Sequence, residues 1–417
     1  MSEPVLINKF DISAGGSGSF VFLGDLTGNG RVDFLVAQPD STYDDRYYPH
    51  QIQALTVYDI KGNIVWQVGT PNEGTKTAGS DIPVQICDID GDGFNEVLCV
   101  MDKKFRILNG RDGSLKKEFD LPNEWAHDCI IVANLTGGDY PSDIILKNRY
   151  HKMWAMDKDF NVLWTHEGNM GHFPWVYDFD GDGRDEVMAG YTMLDSDGTP
   201  QWSCHDLDDH CDALWVGNVK PECDGVQMVI GGSVTVLYDT NGKEIWRYSG
   251  SKESQHVALG RYNPDSDEVL VAGLDRVVRG GPNAEDALFV LNSNGEEIAR
   301  EKRDTIGWLT IIHTINNYMG DNQDYILAFR RGGGIMPTLY NHKLEPVVSF
   351  PKDGYVLFAD VFGENKEDVI IYSNGELAIF GSRMSDIDKE PSGKPLKQPK
   401  RLSHQTVYFG AQMPEIS

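Results

Sequence analysis

Basic residues are scarce in this chain: its 417 residues hold 37 lysines and arginines against 64 aspartates and glutamates, a formal charge of −27. Phosphate backbones are bound through a basic face that releases counterions, so nucleic acid is excluded as a partner. No apolar run is long enough to span a bilayer, and no membrane insertion is expected. The opening MSEPVLINKF has neither the basic region nor the apolar core of a secretory signal. The expectation is a cytoplasmic chain or a mature secreted or periplasmic form, acting as a monomer. Six cysteines, at 87, 99, 129, 204, 211 and 223, are too few and too scattered for a disulfide framework. Several fall in strand-like stretches where Cys packs as a small apolar residue.

What the chain does have is glycine, acid and repetition. The stretch DFDGDGRDE puts five carboxylates between Asp178 and Glu186, with Asp178, Asp180 and Asp182 at alternate positions. A tight loop with acids so spaced brings several oxygens to one point, as a hard cation requires. Strand-like flanks, PWVY and EVMAG, separate it from the twelve-residue helix-flanked calcium loop. DIDGDGFNE repeats the spacing with Asp88, Asp90, Asp92 and Glu96, and weaker copies bring the total to eight, beginning at 25, 88, 134, 178, 218, 261, 315 and 360. At least two structural calcium ions are predicted, held by Asp88, Asp90, Asp92 and Glu96 and by Asp178, Asp180, Asp182 and Glu186.

A period of about 40 to 60 residues marks a propeller or a similar array. Most copies are followed by a second hairpin with an Asp/Asn-Gly type of turn, as in VYDIKGNIVWQV and VLYDTNGKEIWRY. Each unit therefore reads as four short strands, A to D, and the fold class as all-β: one propeller of eight four-stranded blades, or seven if one copy is irregular. Trp66, Trp164, Trp202 and Trp246 recur at one D-strand position and read as core packing. The propeller is expected over 1–384, a Pro/Lys-rich surface strap over 385–405, and a returning strand over 406–417. Either that strand or the N-terminal VLINKF closes the last blade and removes its open edge.

If the acid loops join strand A to strand B, they share one end, and the D-to-A and B-to-C connections share the other. The second end is where the unusual residues fall. His127, His172, His210 and His256 come at or just before four consecutive A strands, which line the axis. The B-to-C connections add Arg149 and Tyr150, Arg276 and Arg279, and Arg330 and Arg331, while DSTYDDRYYPHQ adds Arg46, Tyr47, Tyr48 and His50. Arginine binds carboxylate bidentately, so an anionic oligosaccharide or polysaccharide is the expected partner. One rival is local: CHDLDDHC offers Cys204, His205, His210 and Cys211 to zinc, but adjacent residues of an extended chain point apart, so at most two converge.

Residues 171–232 resemble the rhamnogalacturonan lyases built on a calcium-loaded propeller. The resemblance lies in Gly171-His172, the acid loop 178–186, the LDSDG hairpin and His210-Cys211-Asp212-Ala213, in that order. The segment LKNRYHKMWAMD extends it back to about residue 147. The smaller propellers that cut rhamnose from glucuronate in arabinogalactan are similar too; single-domain size favours them, and the blade motifs favour the first group. Either resemblance implies β-elimination at a uronic acid, in which the carboxylate is neutralised, a base takes the C5 proton and an acid protonates the leaving oxygen. Arg149 is the expected carboxylate clamp, His172 and His210 the base or orienting donors, and Tyr150 the proton donor. His50, His127, His256, Arg276, Arg279, Arg330 and Arg331 are expected to bind substrate. The alternatives are a non-catalytic glycan- or protein-binding propeller and a glycoside hydrolase acting on the same linkage.

Overall fold

The computed structural model describes residues 1–40, 49–73, 82–172, 174–208, 210–278, 283–303, 310–330 and 334–396. Its strands form eight four-stranded antiparallel sheets, and seven of them follow the chain in order from strand A to strand D. The first blade runs from Phe20–Gly24 through Asp33–Pro39 and Ile52–Tyr58 to Ile64–Gly69, which shows the pattern. A strands are largely buried and D strands half-exposed, as in Ile130–Ala133 against Val162–Glu167 of blade three. The A strands of neighbouring blades touch through blades one to three and four to seven, so they line the axis.

Blade eight breaks the order. Its strands Tyr355–Ala359, Asp368–Ser373 and Glu376–Gly381 are completed by the N-terminal Val5–Asp11, which pairs antiparallel from Val5 opposite Gly381 to Asp11 opposite Glu376. The first strand of the chain thus closes the ring and covers the last open edge. The expected returning strand at 406–417 lies outside the described residues, as do Arg46, Tyr47, Tyr48, Arg279 and Arg331. Within the strap region, residues up to 396 run over blade one: Ile387 accepts from Arg31 at 3.0 Å and the Leu396 amide donates to Asp25 at 2.8 Å.

The core is a ring of interfaces between neighbouring blades, with clusters joining one to two, two to three, three to four and so on round to eight and one. The repeated D-strand tryptophans explain part of it. Trp66, Trp164, Trp202 and Trp246 each donate their indole N–H to a carbonyl in the C-to-D turn of the next blade, at Gly110, Ser196, Thr240 and Ser293, over 2.7–3.0 Å. Each ring lies on that turn's glycine, Gly113, Gly198, Gly242 or Gly295, all at positive φ. A side chain there would be strained and would strike the ring, so one residue serves turn and interface together. Trp66 is buried in the core, and Trp164, Trp202 and Trp246 are half-buried and packed against it.

The acid loops join A to B in every blade that carries them, so they lie at one end, opposite the B-to-C and D-to-A connections. The recurrence of one loop hides different chemistry in each copy. In blade four, Asp178 accepts from the Gly181 and Gly183 amides, Asp182 from Arg184, and Glu186 from Phe179 at 2.7 Å. Oxygens of Asp178, Asp180 and Glu186 lie within 4.8 Å of one another. In blade two the same set, Asp88, Asp90 and Glu96, is approached by Lys116, whose Nζ is 2.7 Å from Asp90 and 2.8 Å from Glu96. Blade eight has gone further: the buried Lys366 places its amine 2.7 Å from Asp368 inside the loop.

Candidate active site

Three connections meet at the opposite end. The B-to-C turn of blade three, residues 148–151, follows the strand Asp143–Asn148 and carries Arg149 and Tyr150. His172 precedes strand Trp175–Tyr177 of blade four, and His210 precedes strand Ala213–Gly217 of blade five. Antiparallel pairing sends all three connections to one end, and the closure of blades three to five brings them into contact. Tyr150 Oη lies 3.3 Å from His172 Nε2, and His210 Nε2 lies 3.1 Å from the same atom. The three rings are mutually within 5.0 Å, and the Arg149 guanidinium sits 4.9 Å above the Tyr150 ring.

Asp212 completes the cluster. Its Oδ1 is 3.2 Å from His210 Nε2 and 3.9 Å from His172 Nε2, and it is buried. Sequence reading placed Asp212 inside a motif without a role; the available signal was the His-x-Asp spacing, since residues two apart on an extended segment point the same way. Burial raises the Asp212 carboxyl above its ordinary value, against the hydrogen bond and charge of His210 that lower it. Burial likewise pushes His172 well below the ordinary imidazole value, and Arg149, His210, Lys147 and His256 add to the shift. His172 is therefore neutral near pH 7. His172, His210 and Asp212 also bring three ligand atoms within 4.8 Å, a set suited to a divalent cation.

A cleft of about 250 Å³ opens beside this cluster, lined by Trp125, Asn148, Arg149 and His151. His127 stands next to it, 5.8 Å from Trp125 between ring centres. Its Nδ1 accepts the His50 backbone N–H at 3.0 Å, which puts the proton of the neutral ring on Nε2. Burial lowers His127 to about 4. His50 and His127 thus form a second pair, with rings 6.0 Å apart. His256 is buried within strand Ser254–Gly260 of blade six. Arg276 is also buried, with Nε 2.8 Å from Glu253 and a second bond through Nη2. Arg330 ends strand Asp324–Arg330 of blade seven and is partly exposed. The zinc reading of CHDLDDHC does not assemble: Cys211 is buried and donates to the Ala213 carbonyl, while His205 is exposed.

A model described as rhamnogalacturonan lyase family 11, C-terminal domain, matches residues 144–387, which include Arg149, Tyr150, His172, His210 and Asp212. The chain belongs to that family. It is a polysaccharide lyase. Among curated proteins it is similar to rhamnogalacturonan exolyase YesX of Bacillus subtilis, 23% identical over 84% of this chain and 68% of that protein. It is also similar to rhamnogalacturonan endolyase YesW of the same organism, 22% identical over 49% of this chain and 42% of that one. The crystal structure of YesX superposes with a TM-score of 0.65 at 18% identity, over 87% of this chain and 71% of YesX. The V. cholerae biofilm matrix protein Bap1 superposes almost as well, with a TM-score of 0.61 at 11% identity over 98% of this chain and 94% of that one. The fold alone therefore does not separate a lyase from a matrix protein, and the site residues must carry the distinction.

Proposed function

We propose that the protein cleaves rhamnogalacturonan by β-elimination at its uronic acid, at the end of the propeller where blades three to five meet. The observation that carries this is the meeting of Tyr150 Oη and His210 Nε2 on His172 Nε2, at 3.3 and 3.1 Å, beside the Arg149 guanidinium. Elimination needs a cation against the carboxylate, a neutral base and a proton donor within reach of one sugar ring. Arg149 supplies the first. His172, held neutral by burial, is the base; an incoming carboxylate offsets part of the depression and strengthens it as the proton leaves C5. Tyr150 donates to the leaving oxygen, and His210, oriented by Asp212, supports the His172 ring. In this reading Arg330 lines the wider mouth, and the buried His50, His127, His256 and Arg276 stand behind it.

Calcium belongs to the other end. The all-oxygen set of Asp178, Asp180 and Glu186 suits it. Burial, with smaller contributions from Asp180, Asp178 and Asp182, raises Glu186 to about 7, so its charge is disfavoured until a cation offsets it. Asp182 completes the proposed set in blade four; Asp88, Asp90, Asp92 and Glu96 form a second proposed set in blade two, which an ion enters as the Lys116 amine withdraws, and both ions are structural. The relatives' names favour rhamnogalacturonan; nothing in the comparisons supports the rhamnose-capped arabinogalactan. Incubation with rhamnogalacturonan tests the proposal: a lyase generates the ultraviolet chromophore of an unsaturated uronate. A hydrolase releases reducing ends without the chromophore, a binding protein does neither, and either result overturns the reading.

A further inference from the structure

Blade three holds a charged pair to which elimination assigns no direct part. Lys147 and Asp128 are both fully buried, with Nζ 2.6 Å from Oδ2. Two ions lose more hydration in such a place than their attraction readily restores, and apolar side chains of similar size often serve stability as well or better. Stability is thus a weak reason for the pair, and its location supplies another. The same Lys147 amine donates to the carbonyl oxygen of Arg149.

That carbonyl belongs to the turn 148–151, whose four carbonyls are all taken. Asn148 accepts from the His151 amide at 2.9 Å, Tyr150 from Met170 at 3.2 Å and His151 from Gly168 at 3.1 Å. Arg149 accepts from Lys147, which is the tether made by a side chain. Asp128 anchors the other end: its carboxylate holds the amine, and its own N–H bonds the Lys147 carbonyl at 3.0 Å. The peptide plane after Arg149 is therefore held from the core side by a buried ammonium.

We infer that Lys147 is a positioning residue for lyase chemistry: with Asp128 behind it, it fixes the turn that aims the Arg149 guanidinium at the substrate carboxylate. The inference rests on the proposed role of Arg149.

Two measurements test it. The first needs no substrate: amide exchange over 148–151, compared between the wild type and Lys147→Met/Asp128→Leu, in which an apolar pair keeps the core filled. Exchange should quicken by about tenfold or more with melting retained, as expected for losing a hydrogen bond from a charged donor; unchanged exchange overturns the inference. The second is a mutant cycle in kcat/KM. Lys147→Met should lose about a hundredfold, the scale of a small misplacement, and Arg149→Ala about a hundred- to a thousandfold. Because Lys147 acts through Arg149, Lys147→Met/Arg149→Ala should be no worse than Arg149→Ala alone. Losses that multiply, or a Lys147→Met/Asp128→Leu protein with full turnover, defeat the claim. If the wild type forms no unsaturated product, the elimination reading fails instead, and the exchange measurement still decides whether Lys147 holds the turn.

Discussion

Calcium should stabilise this protein by an amount that grows with pH, and the loop of blade four sets the size. Oxygens of Asp178, Asp180 and Glu186 lie within 4.8 Å of one another, and Glu186 is raised from 4.5 to about 7. In the calcium-free protein this folded value exceeds the unfolded one. The protonated carboxyl therefore contributes stability fully below about pH 4.5, and that contribution is lost as pH rises through about 7. Calcium reverses the sign. At pH 8 the site is already ionised, and an ion at a hundred times its dissociation constant adds about 2.7 kcal/mol. For a chain of 417 residues, an unfolding entropy of about 2.1 cal/mol/K per residue sums to about 0.9 kcal/mol/K, so the melting temperature rises by about 3 °C. At pH 5 about one molecule in a hundred is ionised at Glu186, the apparent affinity falls about a hundredfold, and the same calcium adds about 0.4 kcal/mol, or about 0.5 °C. Calorimetry of metal-stripped protein at pH 5 and 8, with and without added calcium, reads the difference directly. Asp180→Asn should abolish most of it. Asp90→Asn should remove less, because Lys116 already sits 2.7 Å from Asp90 in the other loop. A calcium shift equal at both pH values, or one that survives Asp180→Asn, would refute the reasoning.

The other predictions concern the division of labour between the two ends. Arg149→Ala should lower turnover on a uronate-containing substrate by about a hundred- to a thousandfold with little change in melting, measured by steady-state kinetics and calorimetry. Asp180→Asn should cost stability while the folded protein keeps its turnover, and His172→Ala should do the reverse; a bound uronate found on Asp180 in a complex structure would invert the assignment. His313, packed against Phe358 and Phe329, is lowered by burial from 6.5 to about 3. Its folded value lies below the unfolded one, so its stability contribution is present above about pH 6.5 and is lost as pH falls towards 3. His313→Leu should therefore flatten the acid side of the stability curve by about one proton, or about 1.4 kcal/mol per pH unit in that window; an unchanged slope in denaturant titrations counts against it.

Much of the architecture was legible because it is local. Acids at 178, 180, 182 and 186 and an Asn-Gly or Asp-Gly turn one hairpin later are separated by less than the length of a blade, and their spacing recurs. Strand direction then dictates which connections share an end, so the turn of Arg149 and Tyr150 and the connections of His172 and His210 fall at one mouth by sequence order alone. The D-strand tryptophans were legible as core for the same reason, although their hydrogen bonds to the next blade's turn were not.

Contacts between distant segments were beyond that reach. The sequence offered two strand-like termini for closing blade eight, and the pairing of Val5–Asp11 with Glu376–Gly381 selects the first. It set His50 and His127 among the histidines of one mouth, but not that they pair with each other, 77 residues apart, while His172 pairs with His210 and Tyr150. The amines of Lys116 and Lys366 inside acid loops, Asp212 beside two imidazoles and Lys147 beneath the Arg149 turn were equally hidden. Residue spacing along a strand is bounded by covalent geometry and can be counted. Which side chains meet across blades depends on how the ring closes and on where each connection folds back, and that is decided by packing between residues the chain keeps far apart.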